Sequence, residues 1–346
     1  MNMRTLVSLA LSTLVAAGAG AAPKKILVIT QSKGFVHSVV KRPTNGELCI
    51  VEKALEEIGK NSGVFETVNS QNAIEALTRD NLKKFDGLFF YTTGTILPDG
   101  EPREALLEFV KSGKGFVGVH SATDTFAEFK PYVSFINGNF DGHPWGAGET
   151  CAFTNHEPAH ATVKMWPAEF KWKDEIYQYK GYDPKAVRVL LSLNMADTKT
   201  KGGYHVPVCW VRDYGDGRLF YTNLGHNEST WKDERYREHL LEGFKWSLKL
   251  IDGPAKANPE VQAVENAKSF AVVAAPLVGK EWDELLGKAS RKIKSDKNFV
   301  DSLNSAIAQF RKMPTGDPKK QKPEEIEDLK AKRIALAKQI VETIEN

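Results

Sequence analysis

Gly115-Phe116-Val117-Gly118-Val119-His120-Ser121-Ala122 decides the fold. Its first five residues are apolar or glycine, so a strand here has no polar face. Such a strand sits between two helical layers, as parallel sheets require. His120-Ser121 follows at once, at the carboxyl end, where open α/β sheets bind ligands. The run 118–122 also has the form of a strand-to-helix elbow. Elbows of G-x-S-x-G or G-x-C-x-G type carry a nucleophile, but here His120 holds the tip and Ser121 lies one place beyond.

Working outward, residues 25–30, 64–68 and 88–91 read as further buried strands. Between them, 44–59 reads as a helix. Thr44 and Glu47 have capping-box spacing, and Leu48, Val51, Leu55 and Ile58 share one face. Pro102 opens another helix, and Thr123 a third. This β-α-β-α rhythm predicts an α/β fold, a mostly parallel sheet sandwiched by helices. Past Asn139 the rhythm changes. Residues 150–154 and 161–165 read as extra strands or edge pieces, and 187–193, 206–212 and 218–222 as strands. The turn Tyr214-Gly215-Asp216-Gly217 makes the last two a hairpin. A helix over 230–250 is stopped by Asp252-Gly253-Pro254.

Charge divides the chain at the same place. Residues 1–253 balance 30 basic against 30 acidic residues, whereas 254–346 carry 17 against 14 and supply the whole net charge of +3. So even a balance argues against nucleic acid as a partner. The tail holds 4 of 34 aromatics and no His or Cys, so the residue types that do chemistry lie before it. Three helical stretches are read in it, around Trp282, Phe299–Phe310 and Leu329–Ile344. They form a small hairpin on the main domain or a partner-binding arm. The N-terminus reads as a secretory signal over 1–21, with Arg4, the apolar run 6–17 and Ala19-Gly20-Ala21 as cleavage site. The expected organisation is thus a signal peptide 1–21, a domain over 24–253 and a helical extension over 254–346. The expected location is periplasmic or secreted, with no membrane span in the mature protein. Cys49, Cys151 and Cys209 form no disulfide framework, and none is placed as an activated thiolate.

Three strands each deliver a His just past their ends: His37, His120 and His226. A fourth, His143, lies in Asp141-Gly142-His143-Pro144-Trp145. Such a set ligates zinc or another divalent metal, acts as acid or base near neutral pH, or hydrogen-bonds a polar ligand. Asp124, four residues after His120, is placed to orient it or to add a carboxylate ligand. His156, His160 and His239 have no such placement and read as structural or surface residues. Trp145 and Tyr177 are stacking candidates for a sugar ring, with Ser121 and Glu175 beside them as substrate-binding residues. Asp174 and Glu175 make a poor glycosidase pair, because neighbours in a strand point to opposite faces.

Several stretches carry a resemblance: 35–38, 115–122, Gly142-His143-Pro144, Asp174-Glu175-Ile176-Tyr177, Pro207-Val208-Cys209-Trp210 and 217–226. In this order, from about Lys24 to Leu250, the chain resembles the ThuA-like (trehalose-utilisation) family. The resemblance implies a flavodoxin-like fold of the class I glutamine amidotransferase-like superfamily. The elbow Cys of amidotransferases is His120 here, so it implies no amidotransferase activity. It implies a link to trehalose and related disaccharides, beside sugar oxidoreductases that make 3-keto-glycosides, with His37, His120, His143 and His226 as site positions.

The leading expectation is an exported enzyme acting on keto-disaccharides or glycosides. His37, His120 and His226 would hold a divalent metal, zinc among the options, or form an acid/base cluster with His143 and Asp124 in support. A non-catalytic carbohydrate-binding protein is the alternative, and a scaffold docking a redox or hydrolase partner through the tail is a third.

Overall fold

Ile26, Leu27, Val28 and Ile29 are all buried, and alternate residues enter different cores. That is the period-2 signature of a strand covered on both sides. The computed structural model describes residues 22–279, 282–316 and 319–346. The signal peptide expected over 1–21 lies outside the described residues.

The strands, numbered along the chain, are β1 (Lys24–Ile29), β2 (Phe65–Ser70), β3 (Gly87–Phe90), β4 (Gly115–Val119), β5 (Asn139–Phe140), β6 (Thr150–Asn155), β7 (Glu169–Lys173), β8 (Tyr179–Lys180), β9 (Arg188–Leu193), β10 (Pro207–Tyr214) and β11 (Gly217–Thr222). Nine form one sheet in the order β2-β1-β3-β4-β11-β10-β9-β6-β7. The first five run parallel, and β10, β9, β6 and β7 extend the sheet antiparallel. The parallel part has the 2-1-3-4-5 order of flavodoxin-like folds, with β11 in fifth place. β5 and β8 pair separately.

Helices cover both faces. On one lie α1 (Ile50–Ser62) and α6 (Glu234–Ser247), whose Val51, Leu55, Leu240 and Phe244 share a core with Ile26, Val28 and Val117. On the other lie the short α2 (Ala73–Ala76) and α3 (Arg79–Leu82), then α4 (Glu101–Lys111) and α5 (Lys130–Ile136). There Leu106, Val110 and Phe135 pack with Leu27, Ile29 and Phe116.

Several local expectations are corrected. α1 starts at Ile50, not Thr44, because its capping box is Cys49 with Glu52. The buried Glu52 carboxylate accepts from Cys49 N (3.0 Å), Thr30 Oγ1 (2.6 Å) and Arg42 (2.8 Å), which ties the helix start to the end of β1. His120–Asp124 is a 3-10 turn, and the helix expected from Thr123 begins only at Lys130. Ala161–Val163 is a 3-10 turn capped by His160, not a strand. Asp233 accepts from Arg235 N and divides the expected 230–250 helix into a 3-10 turn and α6.

Among the described residues the tail holds four helices, not three: α7 (Pro259–Val278), α8 (Trp282–Ser295), α9 (Lys297–Lys312) and α10 (Pro323–Glu345). α7 escaped the sequence reading because its inward face is mostly alanine (Ala263, Ala267, Ala271, Ala274), with no leucine stripe. Ala263, Phe270, Leu303, Phe310, Ile340 and Ile344 share a core of their own, so the tail is more than a hairpin. It docks through Asn258, which accepts from Val189 N (2.9 Å) and donates to Val189 O (2.9 Å), and through Gln262, which donates to Pro184 O (2.6 Å). Among the described residues no helix is long and apolar enough to cross a membrane.

Candidate metal centre

β1, β3, β4 and β11 are neighbours in the sheet, so the loops at their carboxyl ends converge. The loop after β1 brings His37, the residue after β3 is Tyr91, β4 runs directly into His120, and β11 leads to Asn223 and His226. A fifth segment, 174–178 between β7 and β8, brings Glu175 and Tyr177 over the same point. One ligand atom each from His37, His120, Glu175 and His226 lies within 4.8 Å of all the others.

The centre is held in a defined protonation pattern. His120 Nδ1 lies 2.7 Å from the backbone carbonyl of Asn223. A carbonyl only accepts, so Nδ1 carries the proton and Nε2 offers its lone pair to the cluster. His226 Nδ1 lies 3.2 Å from that Nε2 and 3.0 Å from Glu175 Oε2. Both neighbours accept, so His226 donates from Nδ1. His37 Nε2 meets the Tyr177 hydroxyl at 3.1 Å, and its buried Nδ1 has no partner. Burial, with His120 and His226 beside it, lowers His37 to about 3, so this ring is neutral at physiological pH. Burial pushes the Glu175 carboxyl up, but the His120 and His226 rings beside it outweigh that and hold Glu175 below the usual carboxylate range. The centre is therefore a neutral His37 ring and two further imidazoles around a carboxylate. His143, half exposed at the rim, reaches Glu175 Oε1 at 3.3 Å.

A second set of residues fixes these side chains. Asp174 is fully buried and accepts from the Glu175 backbone N–H (3.1 Å). Its carboxylate accepts from Gly225 N (2.8 Å), Asn227 N (2.8 Å) and Thr230 Oγ1 (3.0 Å), clamping the loop that carries His226. The Asn223 side chain accepts from Tyr177 N (3.2 Å) and donates to Tyr177 O (3.1 Å), which joins the end of β11 to the Glu175 segment. Tyr221 donates to His120 O at 2.7 Å. His120 itself has φ 45°, a left-handed conformation rare outside glycine. The elbow is present, with an imidazole at its tip.

The structure thus brings His37, His120, His226, Glu175, Tyr177 and His143 together. It separates other expected residues from that role. Trp145 is fully buried in the α1/α6 core and donates to Thr200 O (2.8 Å), so it offers no open stacking face. Tyr177 is also buried and touches His37 and His120 rather than solvent. Ser121 is sealed, its hydroxyl without a partner and out of reach of substrate. Asp124 lies outside the four-residue cluster, and the Asn223 carbonyl orients His120 in its place. Glu175 joins the His cluster itself, a stronger part than substrate contact. The roles of Asp174, Asn223 and Tyr221 were not read from the sequence. The adjacent pair Asp174-Glu175 was the available signal, although the two residues lie just past the end of β7 rather than within a strand. His160 and His239 pair with Thr162 and pack among core aromatics, as expected of structural histidines. Cys49, Cys151 and Cys209 are free and buried, and burial pushes Cys49 and Cys151 to about 12, so neither forms a thiolate nucleophile.

The family profile described as ThuA, trehalose utilisation, matches residues 25–247. Among solved structures, a ThuA-like protein from Bacteroides uniformis is 22% identical, with a TM-score of 0.54 over 67% of this chain and 94% of its own. One from Parabacteroides merdae is 18% identical, with a TM-score of 0.52 over 72% of this chain and 99% of its own. These likenesses establish the shared fold. No curated protein matches the chain.

Proposed function

Because the chain belongs to the ThuA, trehalose-utilisation family, we propose that it is a sugar-processing enzyme whose His37, His120, His226 and Glu175 hold one divalent cation. The observation that carries this reading is the convergence of three imidazoles and one carboxylate within 4.8 Å. The donor chemistry fits: imidazoles and a carboxylate suit zinc and its first-row neighbours. The orphaned Nδ1 of His37 and the lone pair on His120 Nε2 are what a cation site needs before loading. The contacts from Asn223 and Asp174 supply the fixed outer partners that metal-ligating residues have.

A cation there would polarise a carbonyl or lower the pKa of a bound water. The chain's own groups supply the rest. With His37 Nδ1 turned to the cation, His37 Nε2 donates to the Tyr177 hydroxyl, which burial keeps protonated. His143 at the rim, touching Glu175, carries protons between solvent and substrate. The substrate class is a disaccharide or glycoside bearing a keto group, and the reaction is proton abstraction beside that group or cleavage of the glycosidic bond. The reaction supplying it is oxidation of a sugar hydroxyl by an oxidoreductase. Export through the 1–21 segment belongs to the same proposal.

His120→Ala and His226→Ala test the reading. Both are expected to lose bound cation and turnover of 3-keto-disaccharides while remaining folded. Full turnover in either variant contradicts it.

A further inference from the structure

Phe35 is the most exposed large apolar residue among those described, at 66%. It is not on a loose surface loop. Lys33 N donates to Thr93 O (2.8 Å), Gly34 N to Thr93 Oγ1 (3.2 Å), and Thr93 Oγ1 to Phe35 O (2.9 Å). Three successive residues are therefore pinned to buried Thr93, at the end of β3. The ring meets His37 at 4.9 Å between centroids, nearly perpendicular, and His37 in turn touches His120 (5.0 Å) and His226 (5.2 Å). A rigid, solvent-facing aromatic thus abuts a ligand of the centre. The aromatics deeper in the site, Tyr91 and Tyr177, are buried.

Phe35 and its exposed neighbour Val36 form an apolar edge at a polar site, and covering the ring is favourable by the apolar area it removes from water. The C–H face of a pyranose gives such cover, and an aromatic ring is its natural partner. We infer that Phe35 is the stacking platform of the site: its ring receives the apolar face of a sugar unit and holds that unit against the His/Glu cluster. The inference rests on the sugar-processing reading of the same centre. It gives Phe35 a positioning part, with His143 and half-buried Phe140, stacked at 6.0 Å, as a separate aromatic rim.

The test is saturation-transfer NMR on the full, metal-loaded chain, with trehalose and its 3-keto oxidation product as probes. Metal content is measured in parallel. The wild type is expected to transfer saturation to the C–H protons of one ring face. Phe35→Ala is expected to weaken binding at least about tenfold with metal content unchanged. Phe35→Trp, which keeps an aromatic face, is expected to stay within about threefold of wild type. Ile74→Ala, at an exposed apolar site elsewhere, is expected to change nothing. If Phe35→Ala binds both probes as the wild type does, the platform is overturned while the sugar reading stands. If the wild type binds neither probe, the sugar reading fails and takes the platform with it.

Discussion

At the residue scale, the centre is built around a single shared proton. His120 presents a bare Nε2, Glu175 a bare carboxylate oxygen, and the His226 Nδ1 proton lies between them. A cation bound at Nδ1 takes that proton's place, and the His226 imidazole then carries its proton on Nε2 instead. Glu175→Gln removes the negative charge from between three imidazoles and is expected to lower metal affinity at least about tenfold. Asp174 acts one layer out. Asp174→Ala strands two buried backbone N–H groups and a hydroxyl, costing about 2–4 kcal/mol. It should also weaken metal binding through displacement of His226. Chemical denaturation and metal titration of the same variant check both effects.

At the element scale, strand ends do the assembling. The turn after β11 passes through Gly225 at φ 122°, where a Cβ would come within 2.5 Å of the Tyr236 hydroxyl. Gly225→Ala is expected to cost more than about 2 kcal/mol and to reduce metal affinity, because His226 follows directly. Gly279→Ala, at φ 64° with open space around it, should cost only about 1 kcal/mol and leave the site untouched. Thermal unfolding and metal titration of the pair separate strain at the site from strain elsewhere. The strands that carry the centre were legible in the sequence because β1, β3 and β4 are continuous apolar runs, and the ends of β4 and β11 are followed by His120 and His226. Glu175 and Tyr177 were visible as residues but not as neighbours of those histidines. Their segment reaches the centre by the antiparallel extension of the sheet, a long-range pairing with no local signature. Trp145 misled for the reverse reason: it follows the turn Gly142-His143-Pro144, whose His143 is exposed, while its own indole lies in the core.

At the scale of the whole molecule, histidines away from the centre set the response to acid. His239 and His160 are lowered to about 4 by burial, and His205 to about 3. In the unfolded chain each titrates near 6.5. Below that pH the unfolded state takes up protons that the folded state refuses, so stability falls as pH drops from about 6.5 towards 4 and levels off below 3. A melting temperature that is flat from pH 7 to 4 contradicts this burial. The central claim, however, is the metal centre, and one measurement addresses it directly. Tag-free protein is purified, incubated with zinc, manganese or nickel, dialysed, and analysed by elemental mass spectrometry beside Glu175→Gln. The expected result is about one divalent ion per wild-type chain and a marked loss in the variant. No retained ion in the wild type, or equal retention in both, would contradict the account.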